Sequence, residues 1–81
     1  MRVILEPRAL DVGAEQAAGR AKLTIETAID SLQNFPERGV PHERNLRELH
    51  ASFGAGAYVI RYRVEPGLII VARIGHSREL G

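Results

Sequence analysis

The sequence predicts one α+β domain: a small antiparallel sheet of three to four strands, with one long helix and a short helical stub packed on one face. Three observations carry this. A stripe of apolar residues at helical spacing runs through the first half, and two β-branched, aromatic runs flank Glu65-Pro66-Gly67 in the second. A chain of 81 residues leaves room for a single hydrophobic core, so residues 1–81 form one domain.

Met1 to Leu5 reads as a short strand ended by Pro7, which cannot donate to a ladder. Pro7 then suits the first position of a helix, and Arg8-Ala9-Leu10-Asp11-Val12 makes the stub before Gly13 interrupts it. In the long helix Ala18, Ala21, Ile25, Ala28, Leu32 and Phe35 step by three or four along one face, and Ile29 widens it. Lys22, Glu26, Asp30 and Gln33 lie largely off that stripe, and Asn34 and Pro36 end the helix. Turn residues fill 36–41, a strand enters at 44–50, and Ser52 to Gly56 reads as a loop.

The last two runs, Ala57–Val64 and Leu68–Ile74, form a hairpin whose faces depend on register. Pairing Val64 with Leu68 puts Tyr58, Ile60, Tyr62 and Val64 with Leu68, Ile70, Ala72 and Ile74 on the core side. The other face then carries Val59, Arg61 and Arg63 with Ile69, Val71 and Arg73, a mixture of guanidinium and β-branched groups. A slip by one residue would bury Arg73 and expose Ile74. Such a mixed face suits a protein partner or a phosphate, and equally a surface where Arg stems shield apolar neighbours.

Composition narrows the function. The net charge of +1 argues against bulk attraction to nucleic acid, so any basic site is local. With no cysteine, disulfides and thiolate metal sites are excluded. The opening apolar run is three residues and stops at Glu6-Pro7, unlike a signal peptide, and no segment approaches the ~18 apolar residues of a membrane span. The expectation is a soluble cytoplasmic protein with no membrane contact.

No nucleotide-binding loop or nucleophile elbow is present, and His42, His50 and His76 are too far apart for a local metal site. No metal and no cofactor are expected. One cluster could carry chemistry: Arg61, Arg63 and Arg73 on strands, with His76 and Arg78 just past the last strand. In a metal-free ribonuclease, histidine supplies acid or base and several Arg hold the phosphate. A solvated Arg face explains the same residues.

The runs Leu32-Gln33-Asn34-Phe35-Pro36-Glu37-Arg38-Gly39, Leu46-Arg47-Glu48-Leu49, Tyr58-Val59-Ile60-Arg61-Tyr62-Arg63-Val64 and Arg73-Ile74-Gly75-His76-Ser77-Arg78, in that order and spacing, resemble the RelE/ParE superfamily of type II toxin–antitoxin toxins. The resemblance covers about three-quarters of the chain. It implies an antiparallel sheet with helices on one face and a tightly bound antitoxin that wraps the toxin in a hetero-oligomer. The branches differ in target. ParE-like members block DNA gyrase; RelE-like members cleave messenger RNA on the ribosome.

In the ribonuclease branch an Arg usually follows the first aromatic residue of the strand at Tyr58–Val64, and this sequence has Val59 there. The strand and the closing His-Ser-Arg look more like the ParE branch. The resemblance therefore implies a gyrase inhibitor with no catalytic residues, and its antitoxin would explain the mixed hairpin face, Val59, Arg61, Arg63, Ile69, Val71 and Arg73, as the partner-binding set. The alternatives are an endoribonuclease using His76, Arg61, Arg63, Arg73 and Arg78, or a degenerate, non-toxic antitoxin-binding module. The last arises because the helical hairpin usual between the first strand and Phe35-Pro36 is shortened to one good helix and a stub.

Overall fold

The computed structural model describes residues 1–7, 9 and 19–77. Its elements are β1 (Arg2–Leu5), α1 (Gly19–Ser31), β2 (Val40–Pro41), β3 (Arg47–Phe53), β4 (Gly56–Glu65) and β5 (Leu68–His76). The strands form one five-stranded sheet in the order β1-β5-β4-β3-β2. Neighbours from β2 to β5 run antiparallel, whereas β1 lies parallel to β5, so the sheet is mixed and has more strands than the sequence predicts. A parallel neighbour requires a crossover, and the chain between β1 and the meander supplies it. The helical stub expected at 8–12 lies outside the described residues except for Ala9, which is buried.

The helical stripe packs as its spacing requires. Ala21, Ile25 and Leu32 are buried against Leu49, Tyr58, Ile60, Tyr62, Ile69, Val71 and Ile74, with Ala28 and Ile29 packed at the border. Six of the large side chains in this layer are under 2% exposed. Burial of an aliphatic side chain of this size stabilises by about 1.5–3 kcal/mol relative to exposure. Phe35 departs from the stripe and is 66% exposed. The helix ends at Ser31, and the next amides turn back by three residues, Leu32 to Ile29, Gln33 to Asp30 and Asn34 to Ser31, which rotates Phe35 away from the face it would have continued.

The β4–β5 hairpin corrects the expected register. Glu65 opposes Leu68 and Val64 opposes Ile69, so the connection is the two-residue turn Pro66-Gly67. Proline favours the first central position and Gly67, at φ 69°, supplies the left-handed second one. Ile69 and Val71 therefore point into the core at 0% exposure, opposite to the open face expected for them, and Leu68 and Ile70 take the open face. The dilemma over Arg73 and Ile74 is resolved by a bulge: Tyr62 opposes Val71, but Arg61 opposes Arg73, and Ala72 is the extra residue. Beyond it Arg73 returns to the open face and Ile74 to the core. The N–H of Ile74 donates to the carbonyl of Ala9, which fastens β5 past the bulge to the chain that follows β1.

Two further boundaries shift. Strand β3 extends through Ser52 and Phe53, leaving Gly54 and Ala55 as the turn between Phe53 and Gly56. Strand β5 extends through His76, so that histidine sits on the strand instead of after it.

Tyr62 ties the loop after α1 to the sheet. Its buried hydroxyl donates to the carbonyl of Pro36 at 2.8 Å and accepts the N–H of Gly39 at 2.9 Å. A Cβ on Gly39 would stand 2.6 Å from that hydroxyl, so only glycine allows the approach. Arg47 completes the fastening, donating from Nη1 to the carbonyls of Glu37 and Gly39 at 3.1 and 2.8 Å. Tyr62→Phe would leave the Gly39 N–H and Pro36 C=O without this partner, and we expect a loss of about 1–3 kcal/mol in urea denaturation. An unchanged midpoint would mean that the loop is held by other contacts.

Candidate functional site

The helix covers one face of the sheet, no described element covers the other, and alternation along the strands decides what that open face displays. From β3 come Glu48 and His50, from β4 Val59, Arg61 and Arg63, from β5 Leu68, Ile70 and Arg73, and from β1 Ile4. Glu48, Arg61 and Arg73 lie in one row across three strands. Arg61 Nε donates to Glu48 Oε2 at 2.6 Å. His42 Nδ1 stands 3.6 Å from the same oxygen, and His50 Nε2 is 3.6 Å from Oε1. One carboxylate is thus the hub of a cluster drawn from β3, β4 and the loop after β2.

A second ion pair crosses β5. Arg63 Nη1 donates to Glu6 Oε1 at 3.0 Å, and its Nε lies 3.4 Å from Glu65 Oε1. Both Arg61 and Arg63 therefore face carboxylates of the chain itself, which lowers their availability to an external phosphate.

The other residues predicted for this face are placed as follows. Val59 is on it, between His50 and Gly75 in the ladder, but is only 4% exposed and so is covered within the chain itself. Ile69 and Val71 are core residues, which removes them from any contact surface. Arg73 is exposed and makes contacts of its own. His76 opposes Tyr58, and their rings meet edge to face at 5.4 Å and 83°. This contact gives His76 an aromatic packing role at the end of β5. Arg78 lies outside the described residues.

Sequence spacing does not single out Glu6 or Glu48, and it separates His42 from His50. The readable signal is weaker and lies in alternation: Glu48 and His50 recur every second residue on β3, as Arg61 and Arg63 do on β4. Cross-strand pairing then brings opposite charges together. Among the described residues no group of three or more His, Cys, Asp or Glu side chains is arranged to hold a metal ion. No described helix is long and apolar enough to cross a membrane.

Comparison with known proteins agrees with this architecture. The model for the family described as ParE toxin of type II toxin-antitoxin system, parDE, matches residues 6–81. Toxin RelE3 of Caulobacter vibrioides is 42% identical over 66 residues, 82% of this chain and 72% of that protein. Toxin RelE2 of the same organism is 45% identical over 64 residues, 79% of this chain and 69% of the relative. No solved structure matches the chain.

The Glu48 cluster has a measurable consequence. Partial burial pushes the Glu48 carboxyl upward, but the Arg61 hydrogen bond and charge, aided by His42 and His50, outweigh this and hold it below the usual glutamate value. A carboxyl lowered by folding stabilises the fold above its unfolded pKa of ~4.3, and that contribution disappears as the pH falls through the lower folded value. Denaturation midpoints between pH 7 and pH 3 should therefore fall more steeply for the wild type than for Glu48→Gln. Parallel curves would mean that the cluster contributes no pH-dependent stability.

Proposed function

Because this chain belongs to the ParE toxin family of type II toxin–antitoxin systems, it is the toxin of such a pair with a cognate antitoxin as partner, and we propose that it acts by binding DNA gyrase and arresting replication. The observation that carries this reading is the state of the Arg face. A metal-free ribonuclease needs guanidinium groups open to the scissile phosphate and an acid or base beside it. Here Arg61 is committed to Glu48, Arg63 to Glu6, Val59 stands where the nuclease branch has its usual Arg, and the His76 ring packs on Tyr58. These features favour inhibition by binding, at work in the cytoplasm. Arg61, Arg63 and Arg73, with Leu68, Ile70 and Ile4 beside them, form the surface proposed for protein contact.

A second reading is favoured by a different observation. The curated relatives carry the name RelE, and RelE-like toxins cleave messenger RNA on the ribosome. Under that reading Arg73 and His76 would have to act on the phosphate, with Glu48 and Glu6 displaced from Arg61 and Arg63.

Pulse labelling within minutes of inducing the chain alone in a bacterial host separates the two. We expect DNA synthesis to fall first with translation intact, and His76→Ala to keep its toxicity. An early fall in translation, abolished by His76→Ala, would establish the nuclease in its place, because loss of a proton-transfer group costs ~10²–10⁴-fold in rate. No fall in either would favour a degenerate, non-toxic module.

A further inference from the structure

At the end of the sheet opposite β2, strand β1 has no neighbour on its outer side among the described residues. Two hydrogen bonds set which of its backbone groups look inward. Arg2 N–H donates to the Gly67 carbonyl at 3.4 Å and Glu6 N–H to the Val71 carbonyl at 3.0 Å, so both residues turn their backbone groups toward β5, and by alternation Ile4 does the same. Val3 and Leu5 therefore aim two N–H and two C=O groups outward along an open edge. The side chains alternate in step: Val3 packs against the core, which puts Leu5 on the helix side with it and Arg2, Ile4 and Glu6 on the open face.

This run is complementary to itself. In an antiparallel pair, opposed residues both direct their backbone groups at each other or both direct them away, so two identical strands related by a twofold axis pair about a residue, never between two. Centred on Leu5, Val3 would meet Pro7, which has no N–H to give. Centred on Val3, the charged Arg2 would meet Ile4. Centred on Ile4, Val3 meets Leu5 and exchanges two hydrogen bonds with it, twice by symmetry, and Arg2 meets Glu6 at both ends. The charged groups are placed for this. Arg2 is exposed, and Glu6 engages Arg63 through Oε1, which leaves Oε2 to accept from the second copy's Arg2. Ile4 and Leu5, 37% and 47% exposed, are the apolar surface that the seam would cover. On the open face Arg63, Ile70 and Ile4 lie in one row, which the axis continues into a second Ile4, Ile70 and Arg63.

We infer that β1 pairs antiparallel with β1 of a second copy of this chain, about a twofold axis at Ile4, and joins two five-stranded sheets into one. The backbone bonds of Val3 and Leu5 supply affinity, and the Arg2–Glu6 pairs fix the register. The seam is short, so the dimer is reversible and depends on concentration. It lies at the border of the Arg face and sets two such faces side by side, whichever target they meet.

The test is sedimentation equilibrium of the purified full chain across a dilution series, with cross-linking to fix the register. The wild type should reach twice the chain mass as concentration rises. Leu5→Pro removes an outward donor from each copy, which an edge strand tolerates, and should raise the dissociation constant about tenfold or more. Arg2→Glu, at an exposed position, sets like charges opposite each other at both ends and should weaken the dimer without touching the core. Because the chain has no cysteine, a single introduced one reports its twin. Ile4→Cys puts two Cα atoms about 4.5 Å apart, within disulfide reach, and should cross-link on mild oxidation. Arg2→Cys stands about 14 Å from its twin and should not. A chain that is monomeric at every concentration, or a dimer held as tightly by Leu5→Pro and Arg2→Glu as by the wild type, overturns the inference. So does a disulfide that forms as fast at position 2 as at position 4.

Discussion

One extra residue in β5 decides which side chains meet the helix and which meet the outside. Without Ala72 out of phase, β5 would have to choose between burying Ile69 and Val71 and burying Ile74, and either choice would drive Arg73 or an isoleucine to the wrong side. The bulge permits all three apolar residues to pack inward. It also carries Arg73 to the row that Glu48 and Arg61 occupy. The local disruption is compensated by Ala9, whose carbonyl takes the Ile74 N–H. The core and the charged face are thus consequences of one phase shift, and neither could be altered there without the other.

The two faces of the sheet are stabilised in different ways. On the helix side, tightly packed aliphatic groups exclude water, and the buried hydroxyl of Tyr62 is used twice, once as donor and once as acceptor. On the other side, basic groups are drawn into local pairs with Glu48, Glu6 and Glu65. Pairs at this degree of exposure contribute little stability individually. Their larger effect is on the character of the surface, where they mute the positive field that phosphate recognition depends on.

Much of this was legible in the sequence, and the exceptions have physical reasons. The helix was readable because its apolar residues keep helical spacing from Ala21 to Leu32, and the period fails only at Phe35, where the hydrogen bonds tighten. The strands were readable from their β-branched content, but the hairpin phase was not. Leu68-Ile69-Ile70-Val71 is apolar throughout, so either alternate set suits a core, and the bulge carries no glycine or proline to mark it. The candidate site suffered similarly. Arg61 and Arg63 were visible as an alternating pair, but Glu48 lies thirteen residues from Arg61 and Glu6 fifty-seven from Arg63, separations that only the folded register closes.

The parallel pairing of β1 with β5 also governs the order in which the chain can become complete. Residues 2–5 are synthesised well before their partners at 68–71. The β3–β4–β5 meander can assemble from local contacts, whereas β1 must wait across a long loop whose closure is entropically costly. Until Leu68–Val71 has emerged, Val3 has no strand to join and the core lacks Ile69, Val71 and Ile74. A chain that lacks β5 therefore has neither a complete sheet nor a complete core. Strand β5, seated between β1 and β4, is the piece that joins the two ends of the sheet.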